Sequence, residues 1–140
     1  FLDITMSKVI LDPHPREIED IFSSSTKITL SSLHRVIEFD GEDRLSFYNE
    51  NIEDTDFIIG QPDLDASLIE RSKKLKAVFN VEGNFMPNID YAACHLKGIR
   101  VLTPSSVFAV PVAELAIGMM ISLARGIHTA HGDFLNGKEL

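Results

Sequence analysis

The stretch DFIIGQPDLDASLIERSKKLKAVFNVEGNFMPNIDYAACHLKGIRVL, residues 56–102, decides how this chain is built. Asp56-Phe57-Ile58-Ile59 is a short apolar run ended by Gly60, as expected of a strand buried on both faces. Asp63 stands where a helix cap belongs, and Leu64, Leu68 and Leu75 recur at helical spacing. A helix is therefore expected over 64–74. Lys76-Ala77-Val78-Phe79 is a second buried-strand run, and Gly83 marks the loop behind it. Pro87-Asn88-Ile89-Asp90 opens a helix through Leu96, Gly98 is placed to cap its C-terminus, and Ile99 to Leu102 is a third strand.

The same rhythm extends in both directions. Upstream, Lys8-Val9-Ile10-Leu11 is a strand broken by Asp12-Pro13-His14-Pro15, and Pro15 is expected to open a helix through Phe22. Ser23-Ser24-Ser25 reads as a loop or a fraying end. His34 to Phe39 is a strand, Asp40-Gly41 a turn, and Glu42 to Asn49 a weak helix. Downstream, Thr103-Pro104-Ser105-Ser106 is a linker, and a long helix follows from Pro111 to His131. Strands alternating with helices imply a parallel sheet with right-handed crossovers. Five strands in this rhythm point to an α/β fold with a flavodoxin-like order rather than a full Rossmann domain. The expected domains are 6–103 and 104–140, and no repeat of solenoid period is present.

The chain has 140 residues, 44% apolar and 24% charged, which suits an ordinary globular domain with a hydrophobic core. Its net charge of −8 disfavours nucleic-acid binding. The densest basic group, Arg71, Lys73, Lys74 and Lys76, reads as a solvated helix end. Cys94 is the single cysteine, so no internal disulfide forms and a cytoplasmic location is expected. The start FLDITMSKVI lacks the pattern of a signal peptide. Met6 reads as a native start, with Phe1 to Thr5 as added residues or the trace of a processed one. From Phe108 to Ala124 the chain is almost wholly apolar. A spanning helix needs about 20 such residues. This run is shorter and carries Glu114 and Ser122, so burial inside protein, not membrane, is expected. A helix apolar around most of its circumference must be covered on all sides. The sheet ahead of it can cover one face; the rest calls for another domain or a second subunit.

Ligands of open parallel sheets bind beyond the carboxyl ends of the strands, here Asp12, Asp40, Gly60-Gln61, Asn80 to Gly83, and Thr103. The loop Asn80-Val81-Glu82-Gly83-Asn84 reads either as a plain turn or as an array of N–H groups suited to a carboxylate or phosphate. Gln61 reads as a solvated strand end or as a further donor to that anion. Among five histidines, none is spaced to announce a base with its orienting carboxylate. His128 and His131, with Asp133 behind them, read as exposed helix-end residues rather than metal ligands. Cys94 reads as a packed thiol and Glu114 as an N-terminal helix charge. No G-x-G-x-x-G, P-loop, H-E-x-x-H or G-x-S-x-G occurs, so these residues alone name no reaction.

Leu75 to Gly126 resembles the D-isomer-specific 2-hydroxyacid dehydrogenases. The resemblance rests on Asn88-Ile89-Asp90, Ala92-Ala93, Lys97-Gly98-Ile99, Val112-Ala113-Glu114-Leu115 and Leu123-Ala124-Arg125 in linked order. It implies a flavodoxin-like substrate domain set before a Rossmann NAD domain, to which the helix from Pro111 belongs. It also implies a substrate carboxylate held by the backbone of Val81, Glu82 and Gly83. Thr103 and Val112 match positions near the nicotinamide of NAD or NADP. A homodimer through the 111–131 helix is implied too. The family's catalytic Arg, acid and His follow the glycine motif, so none is assigned among these residues, and the 140 residues alone are expected to be inactive. Glu82 departs from the family, which often has a small or apolar residue there; a carboxylate beside an anionic substrate is repulsive. Glu82 therefore either points outward or meets a polar or cationic group.

A signalling receiver domain shares the strand order, but Gly60 and Thr103 stand where its phosphoacceptor Asp and its Lys belong. An FMN carrier needs a Ser/Thr-rich loop where Asp12-Pro13-His14-Pro15 stands. The remaining rival is a non-enzymatic dimeric or regulatory module derived from a dehydrogenase fragment.

Overall fold

The computed structural model describes residues 6–39, 41 and 43–138. Asp40 and Glu42, read above as turn and helix start, lie outside the described residues, as do Phe1 to Thr5. The chain divides into two compact units, Phe1–Pro104 and Ser105–Leu140.

The first unit holds β1 (Lys8–Asp12), α1 (Ile18–Ile21), α2 (Ser24–Leu33), β2 (Arg35–Glu38), α3 (Arg44–Asn51) and a 3₁₀ turn (Ile52–Asp54). β3 (Phe57–Gly60), α4 (Ala66–Arg71), β4 (Ala77–Asn80), α5 (Tyr91–Leu96) and β5 (Arg100–Leu102) complete it. The strands form one parallel sheet in the order β2-β1-β3-β4-β5, the flavodoxin-like α/β order expected. The order reverses between β1 and β3, where a doubly wound sheet opens its crevice. Ile10, Ile58 and Val78 from the three central strands are fully buried against Ile52, Leu64 and Ile69. Each such side chain stabilises the fold by about 1.5–3 kcal/mol relative to exposure.

Several elements differ from expectation, each for a physical reason. Ser23 to Ser25 are no loop: the Ser23 hydroxyl accepts from the Thr26 N–H (3.2 Å) and opens α2. The first helix begins at Ile18 rather than Pro15, because residues 13–16 form a turn closed by the Arg16 N–H on the Pro13 carbonyl (2.9 Å). One bridge, Leu64 to Ile89, moves two more helix starts. It draws on the Leu64 N–H to the Asn88 carbonyl (2.8 Å) and the Asp90 N–H to the Leu64 carbonyl (2.9 Å). Leu64 and Ile89 are thus held extended, so Asp65 caps α4 in place of Asp63 and α5 waits for Asp90.

The second unit holds α6 (Ser105–Arg125) and α7 (Ile127–Leu135). The expected single helix from Pro111 is corrected at both ends. Ser105 and Ser106 are helical, Pro111 lies inside α6, and Gly126 breaks the run in a left-handed conformation (φ 59°). At 21 residues α6 is long and apolar enough to cross a membrane, so the shorter length argued above does not hold. None of its residues is buried.

Candidate functional site

The carboxyl ends of β1 and β3 meet at Asp12 and Gly60, which are register partners. They meet so closely that a Cβ on Gly60 would stand 1.9 Å from the Asp12 carbonyl oxygen. Only glycine permits this approach. The Gln61 N–H then donates to the same Asp12 oxygen (2.8 Å), which turns the chain at the mouth of the crevice.

The Asp12 carboxylate is fully buried beneath this corner. It accepts from the Tyr48 hydroxyl (3.0 Å) and from the Arg44 guanidinium (3.0 Å), which also reaches Asp63 (3.3 Å). Burial works against the charge on Arg44, but Asp12 and Asp63 outweigh it and raise its pKa. Burial, with Asp12 adding to it, pushes the Tyr48 hydroxyl well above the usual tyrosine range. This network ties α3 to the end of β1 and commits Arg44 to carboxylates of the fold.

The 80–84 loop is docked onto the corner. The Val81 N–H donates to the Gly60 carbonyl (3.3 Å). That bond positions the loop, and it withdraws Val81 from the amides expected to face a substrate. The Glu82 N–H has no partner among the described residues. The Glu82 side chain neither projects freely nor stands alone. Its carboxylate accepts from Arg16 Nε at 2.9 Å.

Gln61 is nearly buried. Its amide nitrogen reaches the Asn88 side-chain oxygen (3.4 Å), and its Oε1 has no hydrogen-bond partner among the described residues. The buried Asn80 amide, at the end of β4, likewise makes no well-formed hydrogen bond among the described residues. Unpaired buried amides are costly, and their position at a sheet's carboxyl edge is where a polar ligand would satisfy them.

The structure thus brings Gln61, Val81, Glu82 and Gly83 to one edge, with Thr103 just past the end of β5 on the same sheet. Val112 lies on α6, in the second unit. The 140 residues hold no glycine phosphate motif. Cys94 is buried, and burial, aided by Asp90, raises its thiol pKa, as befits a packed and unreactive group. No cluster of metal-ligating side chains occurs among the described residues.

No family model matches the chain. Over 73 residues it is 40% identical to a hydroxypyruvate reductase of Thermotoga maritima, spanning 52% of this chain and 24% of that one. Over 91 residues it is 32% identical to a D-3-phosphoglycerate dehydrogenase of Methanocaldococcus jannaschii, spanning 64% and 17%. Among solved structures, a phosphoglycerate oxidoreductase from Rhizobium etli superposes with a TM-score of 0.75 at 36% identity, over 95% of this chain and 41% of that one. The chain is similar to part of these D-2-hydroxyacid dehydrogenases.

It spans a quarter or less of the curated proteins' lengths and about two fifths of the solved chain. A 3-phosphoglycerate dehydrogenase of Entamoeba histolytica, similar at 25% identity with a TM-score of 0.56 over 84% of this chain and 39% of that one, was solved with NAD+ bound. Two features of the site escaped the sequence. Arg16 and Glu82 are 66 residues apart, and Asp12 and Arg44 are 32 apart. Asp12 offered one signal, a carboxylate on the last residue of an apolar strand; nothing in the sequence pointed to Arg44 or Arg16.

Proposed function

We propose that this chain is the substrate-binding part of an NAD- or NADP-dependent D-2-hydroxyacid dehydrogenase, taking a 2-oxo or 2-hydroxy acid at the edge formed by Gln61 and the 81–83 loop. The observation that carries the reading is the docking of that loop on the Gly60 carbonyl, beside the buried, unpaired Oε1 of Gln61, at the point where the strand order reverses. The Glu82 N–H, with Gly83 next to it, receives the carboxylate, and the Gln61 Oε1, an acceptor, takes a hydrogen bond from the 2-hydroxyl of a hydroxy acid. In the complete enzyme the nicotinamide cofactor exchanges hydride with C2 of the acid. Thr103 and Val112 are proposed to lie toward the nicotinamide.

The 140 residues contain none of the proton-transfer groups implied by the family. They are therefore expected to bind a 2-hydroxy acid without turning it over. NADH oxidation with a panel of 2-oxo acids checks this: no turnover is expected, and robust turnover by the purified chain refutes it. The protein is proposed to be cytoplasmic and to form a homodimer through the 111–131 segment, supported by the exposed Leu115, Met119 and Ile121 of α6. Light scattering on detergent-free protein tests the latter. A dimer is expected, and the double substitution Leu115→Glu, Met119→Glu is expected to yield monomer.

A further inference from the structure

The edge that holds the proposed acid site is poor in positive charge. Among the described residues, the segments 12–17, 39–43, 60–65, 80–90 and 103–105, which follow the five strands, carry seven Asp and Glu residues against one arginine, Arg16, and one histidine, His14. The other guanidinium nearby, Arg44, is held by Asp12 and Asp63. Arg16 is held by Glu82, at 2.9 Å.

The position of this pair follows from the topology. Arg16 follows β1, Glu82 follows β4, and β3 lies between those strands. The ion pair therefore spans the end of β3, where Gly60 and Gln61 turn. A substrate carboxylate seated on the Glu82 amide leaves its tail to meet this pair. Both partners remain partly exposed, with side chains 54% and 30% accessible, so the tail can reach them.

We propose that the Arg16–Glu82 pair is a charge filter, which admits small 2-hydroxy acids with one anionic group and turns away those with a phosphate or second carboxylate on the tail. The inference rests on the acid site proposed above. A tail phosphate can gain Arg16 only by displacing Glu82, which then stands as an unpaired carboxylate beside the phosphate. A like-charge contact of this kind near 4 Å weakens binding by about tenfold or more. A hydroxyl tail meets no such conflict and can bond to either partner. Of the chemistries named by the similar proteins, the filter favours the unphosphorylated acid over the phosphorylated one.

D-glycerate and 3-phospho-D-glycerate differ only by the phosphate, so they test the filter directly. Each is titrated at constant ionic strength into the ¹⁵N-labelled 140-residue chain, and the amide shifts of residues 81–84 are followed. D-glycerate is expected to bind about tenfold more tightly than the phosphorylated acid. Glu82→Gln is expected to bring the two affinities within about threefold of each other, chiefly by strengthening phosphoglycerate binding. Shifts elsewhere in the spectrum report that the variant is folded. Phosphoglycerate binding the unsubstituted chain as tightly as glycerate, or an unchanged ratio in Glu82→Gln, overturns the filter and leaves the acid site standing. If neither acid moves these amides, the acid site itself is overturned and the filter with it.

Discussion

Gly60 holds the closest backbone approach in the candidate site, and its missing Cβ is what lets β1 and β3 end side by side. Gly60→Ala would set a methyl group 1.9 Å from the Asp12 carbonyl. Backbone cannot yield as a flexible side chain does, so the variant is expected to lose about 3 kcal/mol, read from the urea unfolding midpoint. Tyr48 makes a second prediction. Its hydroxyl is buried on Asp12, and its pKa lies well above the usual 10.0. The unfolded tyrosine ionises near that value while the folded one keeps its proton, so the folded state binds more protons and stability falls as pH rises past it. Tyr48→Phe is expected to cost about 1–3 kcal/mol near neutrality, because Asp12 loses a buried donor. It is also expected to flatten the alkaline decline in a pH series of unfolding free energies. The positions of Gly60, Gln61 and Glu82 near the crevice were legible in the sequence, because strand ends and glycine loops are local signals. Their partners Arg16, Arg44 and Tyr48 were not, because nothing local records which distant side chain a fold will bring to a buried carboxylate.

Among the elements, β1, β3 and β4 were read within about a residue, since apolar runs of four or five residues survive any context. α2 was missed. Its sequence, SSTKITLSSL, is rich in serine and β-branched residues, and it buries none of them, so neither propensity nor a buried stripe announced a helix. Such a helix leans on its cap. Ser23→Ala removes the acceptor for the Thr26 N–H and is expected to weaken α2 by about 1 kcal/mol. Faster hydrogen exchange of amides 26–33, with β1 unchanged, is the readout. α4 and α5 were found but started early, because the Leu64–Ile89 bridge binds their leading residues into extended chain. α6 was recognised by its apolar content, yet its start was taken from Pro111, which lies inside the helix.

Across the first unit, ion pairs fasten the amino ends of the strands as the Gly60 corner organises the carboxyl ends. The nearly buried Lys8 ammonium bonds to the Asn51 carbonyl (3.0 Å) and to Asp54, and Lys73 pairs with Glu53 at 2.7 Å. The Lys8 contact holds Asp54 below its usual 3.8, and Lys73 holds Glu53 below its usual 4.5. Depressed folded pKa values give stability that is present above those usual values and lost as pH falls through the folded ones. The unfolding midpoint is therefore expected to decline below about pH 4, with raised salt shrinking the effect because the carboxylates are exposed. The order of strands and helices, the buried strand runs, the acidic balance and the resemblance to the D-2-hydroxyacid dehydrogenases all lay in the sequence, since each depends on residue type and local period. Tertiary structure alone decided that Arg16 neutralises Glu82, that Arg44 and Tyr48 converge on Asp12, and that the Val81 N–H serves the fold. Those contacts join segments tens of residues apart, and only the packing of the sheet brings such groups within bonding distance.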